Sequence, residues 1–284
     1  MGDIYFQQPV EFKQIPSANI AYRKFGNGEP LIFLHGWPLA GVTFRKMIPY
    51  LKDHFTCYVV DLPGAGETTW YSHTDFSWPG QARSVKRFID ALGLGSYFLL
   101  GQDSGAMIGR QLALIDGGRI RKFAMTNTEI PGHRPRWIRT FREAMRNIPR
   151  ANTLFRWLLA RRWFLRSRWG FGGAFSDLGF IDGEFREHIV QPLVYSSYRM
   201  QGHMEFLLGW HWGLLDSMKQ RHAQISMPVL LIWGEDDRTF PVEKAEKMAQ
   251  QFPTCEVCRI PDAKLLVQEE QAEKLSKVLH AFMT

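Results

Sequence analysis

The chain has 284 residues, 45% hydrophobic and 14% aromatic, enough apolar material for one sizeable core, with or without an inserted segment. It contains no run of 18 apolar residues that would suggest a membrane span, and MGDIYFQQPVEF lacks the basic start and apolar stretch of a secretion signal. Net charge is +7, and three cysteines, an odd number, argue against a disulfide framework.

A soluble, cytoplasmic protein is therefore expected, a monomer or homodimer. The Met-Gly start is a poor acylation signal, because Phe6 stands where Ser or Thr is needed.

From Asp3 to about Asn127, β-rich runs alternate with helical stretches. PLIFLHG (30–36), TCYVVDLPG (56–64), YFLLGQDSG (97–105) and KFAMTNTE (122–129) each end in a turn bearing Gly, Asp or Asn. Helices near 43–53, 80–92 and 105–116 separate them, a pattern that predicts a parallel sheet covered on both faces. After IPGHRP (130–135) the alternation stops, and 132–222 reads as helical and rich in Arg, Trp and Phe. It resumes with MPVLLIWGEDD (227–237), a helix near 242–252, the strand CEVCRI and a final helix from about 269. One α/β core, 1–131 plus 223–284, interrupted by a helical cap at 132–222, is the simplest account.

Charge is uneven. Arg134–Arg168 holds eleven arginines and one acid, Glu143, a local +10 that leaves −3 for the remainder of the +7 chain. Trp137, Trp157, Trp163 and Phe164 are interleaved. A solvated helical face is expected here in preference to nucleic-acid binding, with attraction of an anionic substrate as a third reading. Cys255 and Cys258 form a C-x-x-C. They lie three apart on a strand and so point to opposite faces, and no second pair completes a metal site; no metal or cofactor is expected.

GQDSGA (101–106) ends a strand and opens a helix, where chemistry collects in α/β sheets. A nucleophile on such an elbow needs very small residues two before and two after it. Gly101 and Gly105 flank Asp103, whereas Ser104 would be flanked by Gln102 and Ala106. Asp103 is the expected nucleophile.

With HGWP (35–38), DLPGAGET (61–68) and PVLLIWGEDDRTFP (228–241), the chain resembles the α/β-hydrolase superfamily over nearly its whole length. Within it, the likeness is to the aspartate-nucleophile branch of epoxide hydrolases, haloalkane dehalogenases and fluoroacetate-type dehalogenases. The resemblance implies a mostly parallel α/β-hydrolase sheet with the cap inserted after the sixth strand. It implies that Asp103 attacks an electrophilic carbon, forming an alkyl-enzyme ester. Trp37 and Ser104 would offer backbone N–H groups to developing negative charge. Asp237 takes the family's acid position, Asn127 lies near an alternative acid or halide ligand, and Tyr198 in YSSYRMQG would polarise an epoxide oxygen. The region where epoxide hydrolases carry a second cap tyrosine, NTLFRWLLARR (152–162), has none.

The same resemblance requires a histidine base on the loop IPDAKLLVQEEQAEKL (260–275), at the position held by Leu265. Without a base, an ester at Asp103 should form slowly or persist. Three explanations stand open: an introduced leucine, a substitute histidine among His133, His203 and His211, or a departure from hydrolysis. His35 and Trp157 are taken as further pocket residues. The expected activity is hydrolysis of an epoxide first and a carbon–halogen bond second, on a small apolar substrate, aromatic ones included, with no nucleic-acid or membrane partner. The alternative is a cyclase, lyase or ligand-binding protein of the same fold.

Overall fold

A computed structural model describes residues 3–284, so the Met1–Gly2 start and its acylation reading lie outside the described residues. The strands are β1 (Glu11–Ile15), β2 (Ala18–Phe25), β3 (Glu29–Leu34), β4 (Phe55–Val60), β5 (Thr69–Trp70), β6 (Tyr97–Gln102), β7 (Ile120–Thr126), β8 (Val229–Gly234) and β9 (Cys255–Ile260). They form one sheet in the order β1-β2-β4-β3-β6-β7-β8-β9, with β5 added to β2. From β4 through β9 every neighbour is parallel, whereas β2 runs antiparallel to β1, β4 and β5.

The six strands expected from apolar runs are present. The β1–β2 hairpin, turned at Pro16–Ser17, and the short β5 are additions that make the sheet mixed. β1 is half exposed and reads EFKQI, a polar alternation without the continuous apolar run of a fully covered strand. If the two-residue β5 is left out of the count, the helical segment follows the sixth strand, as expected.

Alternate residues of the central strands enter opposite cores. Leu34, Leu99, Met125 and Leu231 pack under the helices Trp78–Ala91, Ser104–Asp116 and Val242–Ala249. Leu31, Phe33, Leu100 and Ile232 pack with Met47, Leu51, Leu275 and Leu279 on the other face. Cys255 packs against the first core and Cys258 against the second, the opposed arrangement expected of residues three apart on β9. The helix Trp78–Ala91 shows the local logic: Ser77 caps it by accepting from the Gly80 N–H at 3.2 Å, and Trp78, Ala82, Val85 and Ile89 bury one stripe.

Between β7 and β8 the chain passes through nine helical pieces, from Arg136–Asn147 to His222–Gln224. Among the contacts that hold this segment to the core, two sets stand out. Buried Arg45 binds Glu269 of the core and Glu184 of the segment at 2.7 and 3.0 Å. The Gly-rich turn after Arg168 is joined to the loop following β9, with the Leu266 N–H donating to the Ala174 carbonyl and Lys264 Nζ to the Phe175 carbonyl.

The β6 elbow depends on missing side chains. A Cβ on Gly105 would lie 2.1 Å from the Leu34 carbonyl oxygen, and one on Gly101 2.5 Å from Ala106 Cα. Gly105→Ala should therefore cost about 3 kcal/mol or more in urea unfolding. Gly95→Ala, where an added Cβ meets nothing within 4 Å, should stay within about 0.5 kcal/mol of the parent.

Candidate functional site

Asp103 sits at the turn between β6 and the helix Ser104–Asp116 with φ 49° and ψ −129°, a conformation an L-residue adopts only under constraint. Its Oδ2 accepts the Trp37 N–H at 3.0 Å, and the Ser104 N–H donates to the same carboxylate. Gly36 lets the loop come this close, because a Cβ there would lie 2.5 Å from Oδ2. Gln102 braces the loop from below by accepting the Gly36 N–H on Oε1 at 3.1 Å.

The HGWP and DLPGAGET motifs are cross-linked. Buried His35 donates from Nδ1 to the Gly36 carbonyl at 2.8 Å and accepts the Leu62 N–H on Nε2 at 3.1 Å. Burial pushes its pKa down to about 4, so the ring is neutral and structural. Asp61 accepts N–H bonds from Gly41 and Glu67 at 2.8 and 2.9 Å, closing the same pair of loops.

Above the elbow lies a cavity of about 580 Å³. Its wall includes Trp37, Asp103 and Leu265 from the core, and Trp137, Phe141, Phe155, Leu207 and Trp210 from the helical segment. Asp103 is the sole acid among the described wall residues, while Arg166, Arg168, Arg238 and Lys264 bring positive charge to the rim. The Trp37 ring meets Trp210 edge-on at 6.1 Å, and its Nε1 donates to the His203 carbonyl at 2.8 Å.

A second carboxylate lies beneath the elbow, unnoticed in the sequence because nothing in KFAMTNTE marks it. Glu129 is buried and accepts the Ser104 hydroxyl at 2.6 Å; the Thr128 hydroxyl lies 2.8 Å from both its Oε2 and the Asp103 carbonyl. Arg110 donates to the Glu129 carbonyl at 2.8 Å. Burial, then the nearby Glu129 charge, hold the Asp103 carboxyl well above the ordinary aspartate range, against the opposing pull of the two N–H donors.

Asp237 is buried and fully occupied. Oδ2 accepts from Asn127 Nδ2 at 2.8 Å, and Oδ1 accepts the Thr239 and Phe240 N–H groups at 2.7 and 3.2 Å. Asn127 in turn accepts the Gly234 N–H, so the pair locks the ends of β7 and β8 together. The neighbouring Asp236 is exposed.

Several expected pocket residues face elsewhere. Tyr198 does not reach the cavity: its ring stacks on Trp70 with centroids 3.9 Å apart, and its hydroxyl accepts the Trp70 N–H. The helix Ser197–Leu208 turns this position outward while burying Met200, His203 and Met204. Trp157 is exposed beneath the Arg161 guanidinium, on the outer face of its helix. His203 opens onto a separate cavity beyond Pro38 and Leu39, and burial lowers its pKa to about 3. His133 donates to the Thr239 carbonyl and accepts from Lys244, and His211 caps the helix Trp212–Arg221. Asn127 and His35 lie behind the wall. None of these histidines lines the main cavity.

Residues 29–272 match the alpha/beta hydrolase fold family. The chain belongs to that family. Over 275 residues it is 25% identical to haloalkane dehalogenase 2 of Mycobacterium tuberculosis, covering 95% of this chain and 94% of that one. It is likewise 25% identical to the cis-3-alkyl-4-alkyloxetan-2-one decarboxylase of Xanthomonas campestris pv. campestris, across 98% of this chain and 97% of the other. Among solved structures, the epoxide hydrolase CorEH superposes with a TM-score of 0.82 at 18% identity, covering 96% and 98% of the two chains, a likeness of fold. This member of the family thus has hydrolases among its distant relatives.

Two measurements check the buried carboxylates. Burial pushes the Asp237 carboxyl up to about 6, so the folded chain holds a proton that the unfolded chain releases near pH 4. Stability should fall as pH rises from about 4 to about 6, by up to about 3 kcal/mol from this group. Asp237→Asn should flatten that part of the urea-derived stability profile. Ser104→Ala removes a donor from buried Glu129 and should cost about 1–3 kcal/mol by the same method.

Proposed function

We propose that this α/β-hydrolase attacks an electrophilic carbon with Asp103 and forms an alkyl-enzyme ester, the segment 132–222 acting as a cap over the reaction chamber. The observation that carries this reading is the Asp103 carboxylate, sole acid on the described wall of a chamber rich in aromatic side chains, with Oδ2 held by the Trp37 N–H. That bond and the one from Ser104 hold the carboxylate in place on the chamber wall, where it would meet a bound electrophile. A carboxylate oxygen would bond to carbon as the carbon–halogen or carbon–oxygen bond breaks, the electron pair leaving with the halide or alkoxide. The Trp37 and Ser104 donors hold the nucleophile itself, so they would act on the ester's carbonyl oxygen in a later hydrolytic step and not on the leaving group.

Cleavage of a carbon–halogen bond moves ahead of epoxide opening. An alkoxide needs a proton, and no tyrosine lines the chamber among the described residues. A halide needs no proton; Trp210 lines the chamber, and its buried indole N–H has no hydrogen-bond partner among the described residues. The ring of Trp37, Trp137, Phe141, Phe155 and Trp210 suits an apolar, aromatic-sized group.

Leu265 on the chamber wall favours a second reading. With no histidine there to take a proton from water, the fold would serve a non-hydrolytic rearrangement, elimination or ligand binding. The full-length similarity to an oxetanone decarboxylase accords with this alternative.

Intact-protein mass spectrometry after incubation with haloalkane and epoxide panels separates the readings. Nucleophilic attack predicts one long-lived adduct on the peptide holding Asp103, with stoichiometric halide release from haloalkanes. Leu265→His should then convert the adduct into turnover about 10²–10⁴-fold faster than the parent. Consumption or binding of a ligand with neither adduct nor halide would favour the non-hydrolytic reading.

A further inference from the structure

Between Ile148 and Trp169 the chain turns five large apolar side chains to solvent: Ile148, Leu154, Trp157, Trp163 and Trp169, with Trp163 64% exposed. Isolated exposed apolar residues are ordinary on protein surfaces, but five within one short stretch, three of them indoles, mark a contact surface. Leu154, Trp157 and Arg161 follow one face of the helix Ala151–Leu159 and its exit. Trp163 packs edge-on against Phe164, which meets Phe155 of that helix, so the two stretches adjoin.

The cations of this surface are placed unusually. The Arg161 guanidinium lies over the Trp157 ring at 4.6 Å, and that of Arg168 over Trp169 at 5.4 Å. Arg150, Arg161 and Arg168 form no ion pair with an acid among the described residues, whereas Arg162 and Arg166 share Asp182. Trp169, Arg168 and Arg166 also belong to the wall of the 580 Å³ chamber, so this surface runs into the chamber's rim.

We propose that the 148–169 surface docks on an anionic lipid bilayer and brings the chamber's rim to the membrane. Indole rings favour the boundary between hydrocarbon and headgroups, and unpaired arginines favour anionic phosphates. Exposed Leu154 and Ile148 point to hydrocarbon over nucleic acid, since aliphatic side chains offer bases no stacking face. An apolar substrate dissolved in the bilayer would pass from it into the chamber. The expectation of no membrane partner rested on the lack of a spanning segment, and no described helix is long and apolar enough to cross. Docking at the surface requires no such helix.

Co-sedimentation of the full chain with vesicles tests this without reference to the reaction. Binding to phosphatidylcholine–phosphatidylserine vesicles should be roughly tenfold or more tighter than to phosphatidylcholine alone, and should weaken as salt rises. The pair Trp157→Ala and Trp163→Ala, and separately Arg150→Glu and Arg161→Glu, should each weaken binding roughly tenfold or more with unchanged thermal melting. Three results would overturn the proposal: equal binding to both vesicle types, unchanged binding by the variants, or tighter binding to a single-stranded oligonucleotide. A fourth would be dimerisation in sedimentation that the tryptophan variants abolish while the parent ignores vesicles.

Discussion

The turn at Asp103 exists because three glycines leave room around it. Gly101 and Gly105 admit the fold-back of the strand onto its helix, and Gly36 admits the loop whose Trp37 N–H reaches Oδ2. A methyl group at any of the three would overlap backbone or the Asp103 side chain itself. The left-handed φ at Asp103 is therefore imposed by its surroundings, with its N–H held by the Thr126 carbonyl and its carbonyl by the Thr128 hydroxyl. Asp103 and the Trp37 loop on the chamber wall take their positions from this constraint.

Buried charge under the floor is matched group by group. Glu129 has Ser104, Thr128 and Arg110 around it; Asp237 has Asn127 and two backbone N–H groups; Asp61 has two more. A buried carboxylate without such partners costs several kcal/mol or becomes protonated. Asp237 thus has structural work independent of any imidazole, holding Thr239 and Phe240 where they form part of the chamber wall.

The chamber belongs to neither half of the molecule alone. Its floor comes from loops at the C-terminal ends of the strands, and most of its aromatic wall comes from the segment between β7 and β8. The halves are joined by Arg45 to Glu184 and Glu269, by Trp37 to the His203 carbonyl, and by Lys264 to the Phe175 carbonyl. Lys264 and Leu265 are adjacent, so the loop that brings Leu265 to the chamber wall also anchors the helical segment.

Local pattern was enough to determine the six central strands, their covering helices and the place of Asp103 at the strand-to-helix turn. Apolar runs, helical stripes and glycine spacing act within a few residues, and a short window records them. The hairpin β1–β2 escaped because its half-exposed strand alternates polar and apolar residues and draws its stability from pairing with distant partners. Which side of a helix faces a cavity depends on how that helix packs, and so Tyr198 and Trp157 proved to face outward. Only tertiary structure brought Glu129 under the elbow, put the arginines of two distant loops on one rim, and sent His35, His133 and His203 into other tasks. Those placements are set by contacts between elements scores of residues apart, which no local spacing encodes.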